Sequence, residues 1–271
     1  MKLTAVALAC VCALTAQAQD PRTYQQDELT RLPRLFWDDA KGTLGAPAAW
    51  DASQWTWAGV AVAGVLGAGL VLDRRVDEAV VRNQRPSWNR AAKDVAEVGG
   101  TGGLVLMGAG YLGASLLGKE EARALWVDMG MATVLARGVI TIPLKFLAGR
   151  SRPMDGQGAG HFRPFSSGDA FPSGHTAQAF AMASVVAARY DNPWVGGAAY
   201  GLASLVGLAR LESREHFTSD VLAGALVGAF TGRTVARLND GWRKAGGSRA
   251  EFTFAPAFGP GWSGVSLRAK F

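Results

Sequence analysis

The sequence predicts an all-α protein, a six-helix bundle with a small C-terminal β-hairpin. Three observations lead there. Six segments are apolar over helical lengths: 55–72, 104–117, 122–147, 174–189, 194–209 and 219–238. Glycine makes up 35 of the 271 residues without any repeat period, which suits helices whose backbones approach over small side chains. After Gly246-Gly247 the period changes to two. Residues 251–254 and 265–271 alternate apolar and polar around Gly259-Pro260-Gly261, the signal of a hairpin. Two strands fall far short of the eight a membrane barrel requires, so the hairpin reads as an appendage.

Residues 1–18 follow a signal-peptide pattern: Lys2, an apolar run over 3–14, and Ala16-Gln17-Ala18 as the cleavage site. The alternative is a short uncleaved anchor. Cys10 and Cys12 both fall inside this segment, so an exported chain would carry neither a disulfide nor a cysteine-bound metal. Residues 19–54 form an N-terminal amphipathic strap containing Pro21, Pro33 and Pro47. Its Leu35-Phe36-Trp37 suits either a membrane interface or packing on the domain. A helical domain over 55–240 follows, and then the appendage at 248–271.

With 49% hydrophobic residues the chain can fill one substantial core. Its net charge of +6 is scattered, with no basic run interleaved with aromatics, so nucleic acid is a poor partner. A positive envelope protein instead suits anionic lipid head groups.

Trp55 to Leu72 carries no charge and is long enough to cross a membrane. Asp73-Arg74-Arg75 stops it. Residues 73–98 are charged and amphipathic, broken at Arg85-Pro86, and 99–103 is a glycine breaker cluster. The third helical pattern is interrupted by Asp128, Arg137 and Pro143. The sixth places Gly224, Gly228 and Gly232 on one face, made to lie against another helix.

The chemistry gathers between Lys145 and Asp220, where two of the three histidines fall. Lys145 and Arg152 are seven apart, two turns, which puts both on one side of a helix end stopped by Pro153. Together they suit a phosphoryl group, though alone they read more readily as a solvated basic helix end. Ser173 is a natural N-cap, Gly174 allows close backbone approach, and His175 in the first turn has a proton to give to a leaving oxygen. His216 and Asp220 are four apart at the start of the sixth helix, so the carboxylate would fix the imidazole tautomer. Arg210 lies across a short turn from His216, and Glu212, Arg214 and Glu215 suit a charged loop at the pocket mouth. Taken singly, each motif has a bland explanation.

Taken together and in this order, Lys145-x6-Arg152-Pro153, Pro172-Ser173-Gly174-His175 and Arg210-x5-His216-x3-Asp220 resemble the signature of the type-2 phosphatidate phosphatase superfamily. That superfamily also contains bacterial acid phosphatases and vanadium haloperoxidases. The resemblance covers about residues 100–238, and departs at Ala209, where the family usually has Ser. It implies that His216 is the nucleophile forming a phosphohistidine, that Asp220 orients it and that His175 protonates the leaving group. Lys145, Arg152, Ser173, Gly174 and Arg210 would bind the phosphoryl oxygens. No metal and no cofactor are implied, and His161 fits no motif.

The expected function is therefore a metal-independent phosphatase acting on a phosphorylated lipid or small phosphoester, at a membrane and facing the periplasm. The alternatives are a soluble periplasmic acid phosphatase, favoured by a mean hydropathy of only +0.10, and a vanadium-dependent haloperoxidase. A catalytically inactive envelope-packing protein would not need the full motif set. Counting crossings from an exported strap leaves one conflict: a third full crossing by 122–147 puts Lys145 in the cytoplasm.

Overall fold

The computed structural model describes residues 28–84, 86–244, 251–259 and 262–270. The signal-peptide pattern of residues 1–18 and the start of the strap lie outside them. Among the described residues there are nine α-helices, not the expected six: α1 Glu28–Gly45, α2 Ala52–Val71, α3 Asp73–Asn83, α4 Pro86–Ala96, α5 Thr101–Leu116, α6 Glu120–Ala148, α7 Gly174–Arg189, α8 Pro193–Glu212 and α9 Thr218–Lys244. The six apolar segments are α2 and α5–α9. The additional three are amphipathic, and a search for long apolar runs passes over such helices.

Local chemistry sets the boundaries. Asp51 caps α2 through a reciprocal box with Gln54, and Asn192 caps α8 at the nitrogen of Trp194. Pro86 opens α4 at its first turn, where its missing N–H costs nothing. Inside α6 the span Val134–Thr141 widens into π-helical bonding just before Pro143, which has no N–H to close a regular turn.

The bundle centres on α7 and α9, which run parallel in close contact. A Cβ on Gly224, Gly228 or Gly232 would sit 2.4, 2.2 or 2.3 Å from the carbonyl oxygens of Ser173, Ala177 and Ala181 in turn. Any side chain there would push the helices apart. Cross-contacts set the remaining directions. Gly110 packs on Trp126 and Arg137 bonds Gln178, while Ser184 meets Tyr200, Gly207 meets Val221 and Gly69 meets Ser219. Helices α2, α5, α6, α7, α8 and α9 thus alternate between two ends, with α3 and α4 both at the end where α2 finishes.

At the opposite end α1 is clasped to the bundle. Leu35 and Asp39 are buried, and Asn239 donates to both Asp39 (3.2 Å) and Asp128 (2.8 Å). Arg243 grips Asp128 with two bonds of 2.7 and 2.6 Å. Burial raises the Asp39 carboxyl to about 7, so it is partly protonated at neutral pH. The strap therefore packs on the domain, although Trp37 stays 58% exposed.

Among the described residues four helices are long and apolar enough to cross a membrane (α2, α6, α8 and residues 218–241 of α9), and the bent pair α4–α5 makes a fifth if it acts as one span. Their outward surfaces are apolar; Leu70 on α2 is 89% exposed. Such a surface suits lipid and marks a membrane protein. Residues Glu251–Gly259 and Trp262–Lys270 pair antiparallel, with Glu251 opposite Lys270 and Gly259 opposite Trp262.

Candidate active site

The end shared by α2, α6 and α8 (their C-termini) and by α7 and α9 (their N-termini) holds every predicted site residue. Helix α6 stops at Ala148 because Gly149 turns left-handed, at φ 53°. Arg150–Arg152 then leave the helix, so Lys145 and Arg152 do not share a helical face. A returning loop brings them together instead: Lys145 donates to the carbonyl of Asp169, and Arg152 binds the Asp169 carboxylate with two bonds of 2.7 Å. That fork holds the Asp169 carboxyl below its usual range and raises Arg152 above its own.

Arg152 also donates to Glu215 at 3.0 Å, and Arg210 donates to the same Glu215 oxygen. One carboxylate oxygen thus bridges two arginines. Arg210 is buried, and its Nε has no partner among the described residues.

His216 lies in the turn before α9 and is almost wholly buried. Its Nδ1 is 2.7 Å from the carbonyl of Ala170, which can only accept, so Nδ1 carries the proton and Nε2 keeps its lone pair. Asp220 is 4.0 Å from Nδ1, beyond hydrogen-bond reach, so the expected carboxylate–imidazole bond is replaced by a backbone carbonyl. Asp220 instead accepts from the backbone nitrogen of Phe217 at 2.7 Å, and its own carbonyl accepts from Ser173 N at 2.9 Å. It ties the His216 turn to the start of α7. Ser173 stands at the N-cap position of α7 but makes no side-chain cap; its Oγ accepts from Thr176 at 2.9 Å. A Cβ on Gly174 would meet only ordinary contacts, 3.7 Å from Arg137 and Thr141, so the surrounding protein does not demand glycine there.

His175 packs on the glycine cluster, where a Cβ on Gly100 would lie 2.8 Å from its Nε2 and one on Gly99 2.4 Å from its carbonyl oxygen. The cluster that reads as a helix breaker is also a seat for this ring. Burial comes first among the causes that lower His175 to about 3, followed by the charges of Arg210, Arg137, Lys145 and Arg152. His216 is also driven well below the usual histidine range, by burial and then by Lys145 and Arg210, with Arg152 a smaller contributor. Both rings therefore feel the same three cations.

Sequence reasoning passed over Arg150 and Asp169, read Asp73 only as the stop of an apolar run, and placed Glu215 only in a charged loop at the pocket mouth. Arg150 is buried, donating to Asp73 (2.6 Å), Ser219 (2.7 Å) and Asp220 (2.5 Å) and packed between the rings of Phe162 and Phe217. Asp73 in turn accepts from the Ser219 nitrogen at 2.8 Å. Asp169 and Glu215 are the carboxylates that hold the cations. The charged triplet at 73–75 and the alternation of Arg150 with Arg152 were the available signals, but nothing in spacing alone separates an inward arginine from an outward one.

Residues 126–244, which contain the three motifs, match the model of the PAP2 superfamily. Over that span the chain is similar to the PAP2 superfamily. Its curated relatives include a lipid A 1-phosphatase of Porphyromonas gingivalis, 39% identical over 132 residues, 48% of this chain and 26% of the relative. A lipid A 1-phosphatase of Rhizobium johnstonii is 32% identical over 141 residues, 47% of this chain and 56% of the relative. The chain thus spans about a quarter and just over half of these relatives. Among solved structures it is similar to LpxE of Aquifex aeolicus, with TM-score 0.49 and 24% identity over 62% of this chain and 96% of that one. It is also similar to a PAP2-type phosphatidylglycerolphosphate phosphatase of Bacillus subtilis, with TM-score 0.46 and 21% identity over 78% and 96%.

Proposed function

We propose that this protein is a membrane phosphatase that removes phosphate from a phosphorylated lipid through a phosphohistidine on His216, without a metal. One observation carries the reading: His175 and His216 both lie in the field of Lys145, Arg152 and Arg210. Three cations around two neutral imidazoles suit a phosphoryl dianion. The two related lipid A 1-phosphatases support a lipid phosphate as the substrate.

In this mechanism Lys145, Arg152 and Arg210 take the phosphoryl oxygens, with the first-turn backbone at Ser173-Gly174 completing the cradle. Nε2 of His216 attacks phosphorus, and the bond to the leaving oxygen breaks as that oxygen takes a proton from His175. Burial and then the surrounding cations keep His175 neutral; a bound phosphoryl anion offsets the cations, so His175 gains its proton as the substrate binds. Ala170 holds the Nδ1 proton while positive charge develops on the ring of His216. Water then attacks phosphorus, giving a proton to His175 as the phosphorus–nitrogen bond breaks, which returns the electron pair to Nε2 of His216 and frees phosphate. Asp220 acts at one remove, as a positioning residue for the turn.

The working unit is the helical domain of 55–240, with the 19–54 strap before it and the hairpin of 248–271 as an appendage outside the site. The site faces the periplasm. Because α2 separates the strap from the site, residues 28–51 then lie on the other face. An exported strap and an outward-facing site are thus alternatives, which accounts for the conflict in the crossing count.

The test is phosphate release from a lipid phosphate in detergent with EDTA present. Turnover is expected for the parent, falling by about 10³-fold or more in His216→Ala. Full turnover by the variant sinks the mechanism, and an absolute need for added metal sinks its metal-free form.

A further inference from the structure

The glycine turn that seats His175 is itself held by a second set of side chains. We propose that Arg137 and Gln178 brace that turn, making Arg137 a positioning residue for His175 as the acid that protonates the leaving oxygen. The proposal rests on the phosphatase reading and adds to it two residues outside the three motifs.

The brace joins three elements. One terminal nitrogen of Arg137, on α6, donates to Gln178 Oε1 at 2.8 Å and to the Gly99 carbonyl at 3.3 Å. Gln178, on α7 and fully buried, carries the link onward: its Nε2 donates to the Gly100 carbonyl at 2.9 Å. Both ends of its amide are therefore used. Gly99 and Gly100 are the two residues on which His175 packs. His175 and Gln178 are three apart, on one face of α7, so the turn is fixed from the face that carries the ring. Arg137 also reaches the residue before the ring, since a Cβ on Gly174 would lie 3.7 Å from its Cγ and 3.8 Å from its Nε.

Charge is the second argument. Arg150, Arg152, Arg210 and Arg214 each bind a carboxylate. Arg137 has no carboxylate among the described residues, and the groups it donates to are neutral. In an apolar helical domain a cation without a counter-charge is costly, and it marks function rather than packing. Its place in the π-helical span Val134–Thr141 agrees, because such turns recur at functional sites.

The charge is also selective. Arg137 follows Arg210 among the cations that lower His175, ahead of Lys145 and Arg152, but is not among the leading influences on His216. It addresses the acid and not the nucleophile. Once substrate binding has given His175 a proton, a cation beside the ring favours its transfer to the leaving oxygen.

The experiment uses a long-chain alkyl phosphate and a nitrophenyl phosphate carrying the same chain, in the same micelles. Nitrophenolate leaves without a proton, whereas an alkoxide needs one. Values of kcat/KM, which cover only the steps up to departure of the leaving group, are compared for the parent, His175→Gln, Arg137→Met and Gln178→Met. The ratio, alkyl over nitrophenyl, is expected to fall about 100-fold in His175→Gln, the scale of general acid catalysis. In each brace variant it should fall about tenfold, the scale of one or two lost hydrogen bonds, with partial recovery in Arg137→Lys. An unchanged ratio in both brace variants, or equal loss on both substrates, overturns the positioning role, since lost packing alone slows the two alike. A parent inactive on both substrates overturns the phosphatase reading, and the brace with it.

Discussion

Arg150 donates to Asp220 at 2.5 Å in a pair with almost no access to water. The same guanidinium holds Asp73 at 2.6 Å, so a single cation serves two buried carboxylates from opposite ends of the domain sequence. Arg150→Met is therefore expected to cost about 3–5 kcal/mol, because it strands two charges where no water replaces the partner. Thermal unfolding in detergent measures it. Adding Asp73→Asn to Arg150→Met should restore part of the loss; a double variant as weak as the single one would contradict this account.

In the proposed mechanism Glu215 competes with substrate for the arginines. Its oxygen bridges Arg152 and Arg210, the two arginines to which the mechanism assigns phosphoryl oxygens. Glu215→Gln removes a negative charge beside an anion site. Inhibition by inorganic phosphate or vanadate should tighten by about tenfold, a scale of roughly 1.4 kcal/mol. Competitive inhibition assays read this directly, and weaker inhibition would instead make Glu215 a support that the arginines need.

The imidazoles predict how stability depends on pH. His175 titrates at about 3 in the fold, against 6.5 for the ordinary side chain. Between those values the unfolded chain binds more protons than the folded one, so the contribution of His175 to stability rises with pH across that window and is lost on acidification. His175→Gln should flatten the fall in unfolding temperature between pH 7 and pH 5. An identical fall in parent and variant would show that His175 is not the group responsible. Asp39, raised to about 7, works the other way, its contribution declining as pH rises from 3.8 towards 7.

The alternating helices give a prediction for membrane topology. Single cysteines at Gly45 and Gly160, where an added side chain meets nothing within 4 Å, should label from opposite faces of the membrane, the second from the periplasm. Labelling of both from one face would mean that α2 does not cross.

Much of this was legible in the sequence because apolar length is a strong signal. The six long helices and the small face of Gly224, Gly228 and Gly232 follow from periodicity alone. The three motifs likewise pointed to one place. Long-range geometry was not legible. Nothing in the spacing of Lys145 and Arg152 reveals that Gly149 ends the helix between them and that a loop restores their meeting. The four-residue step from His216 to Asp220 suggests a hydrogen bond, yet His216 stands before the helix begins and turns to Ala170. Asp73 reads as the stop of an apolar run; its second role appears only once Arg150 is seen beside it.

The most direct test of the central claim is rapid quenching of the enzyme during turnover of a lipid labelled with radioactive phosphate. An acid-labile, base-stable phosphoryl group should appear on the peptide containing His216, and be absent from His216→Asn. Label on any other residue, or full turnover by His216→Asn, would contradict the account.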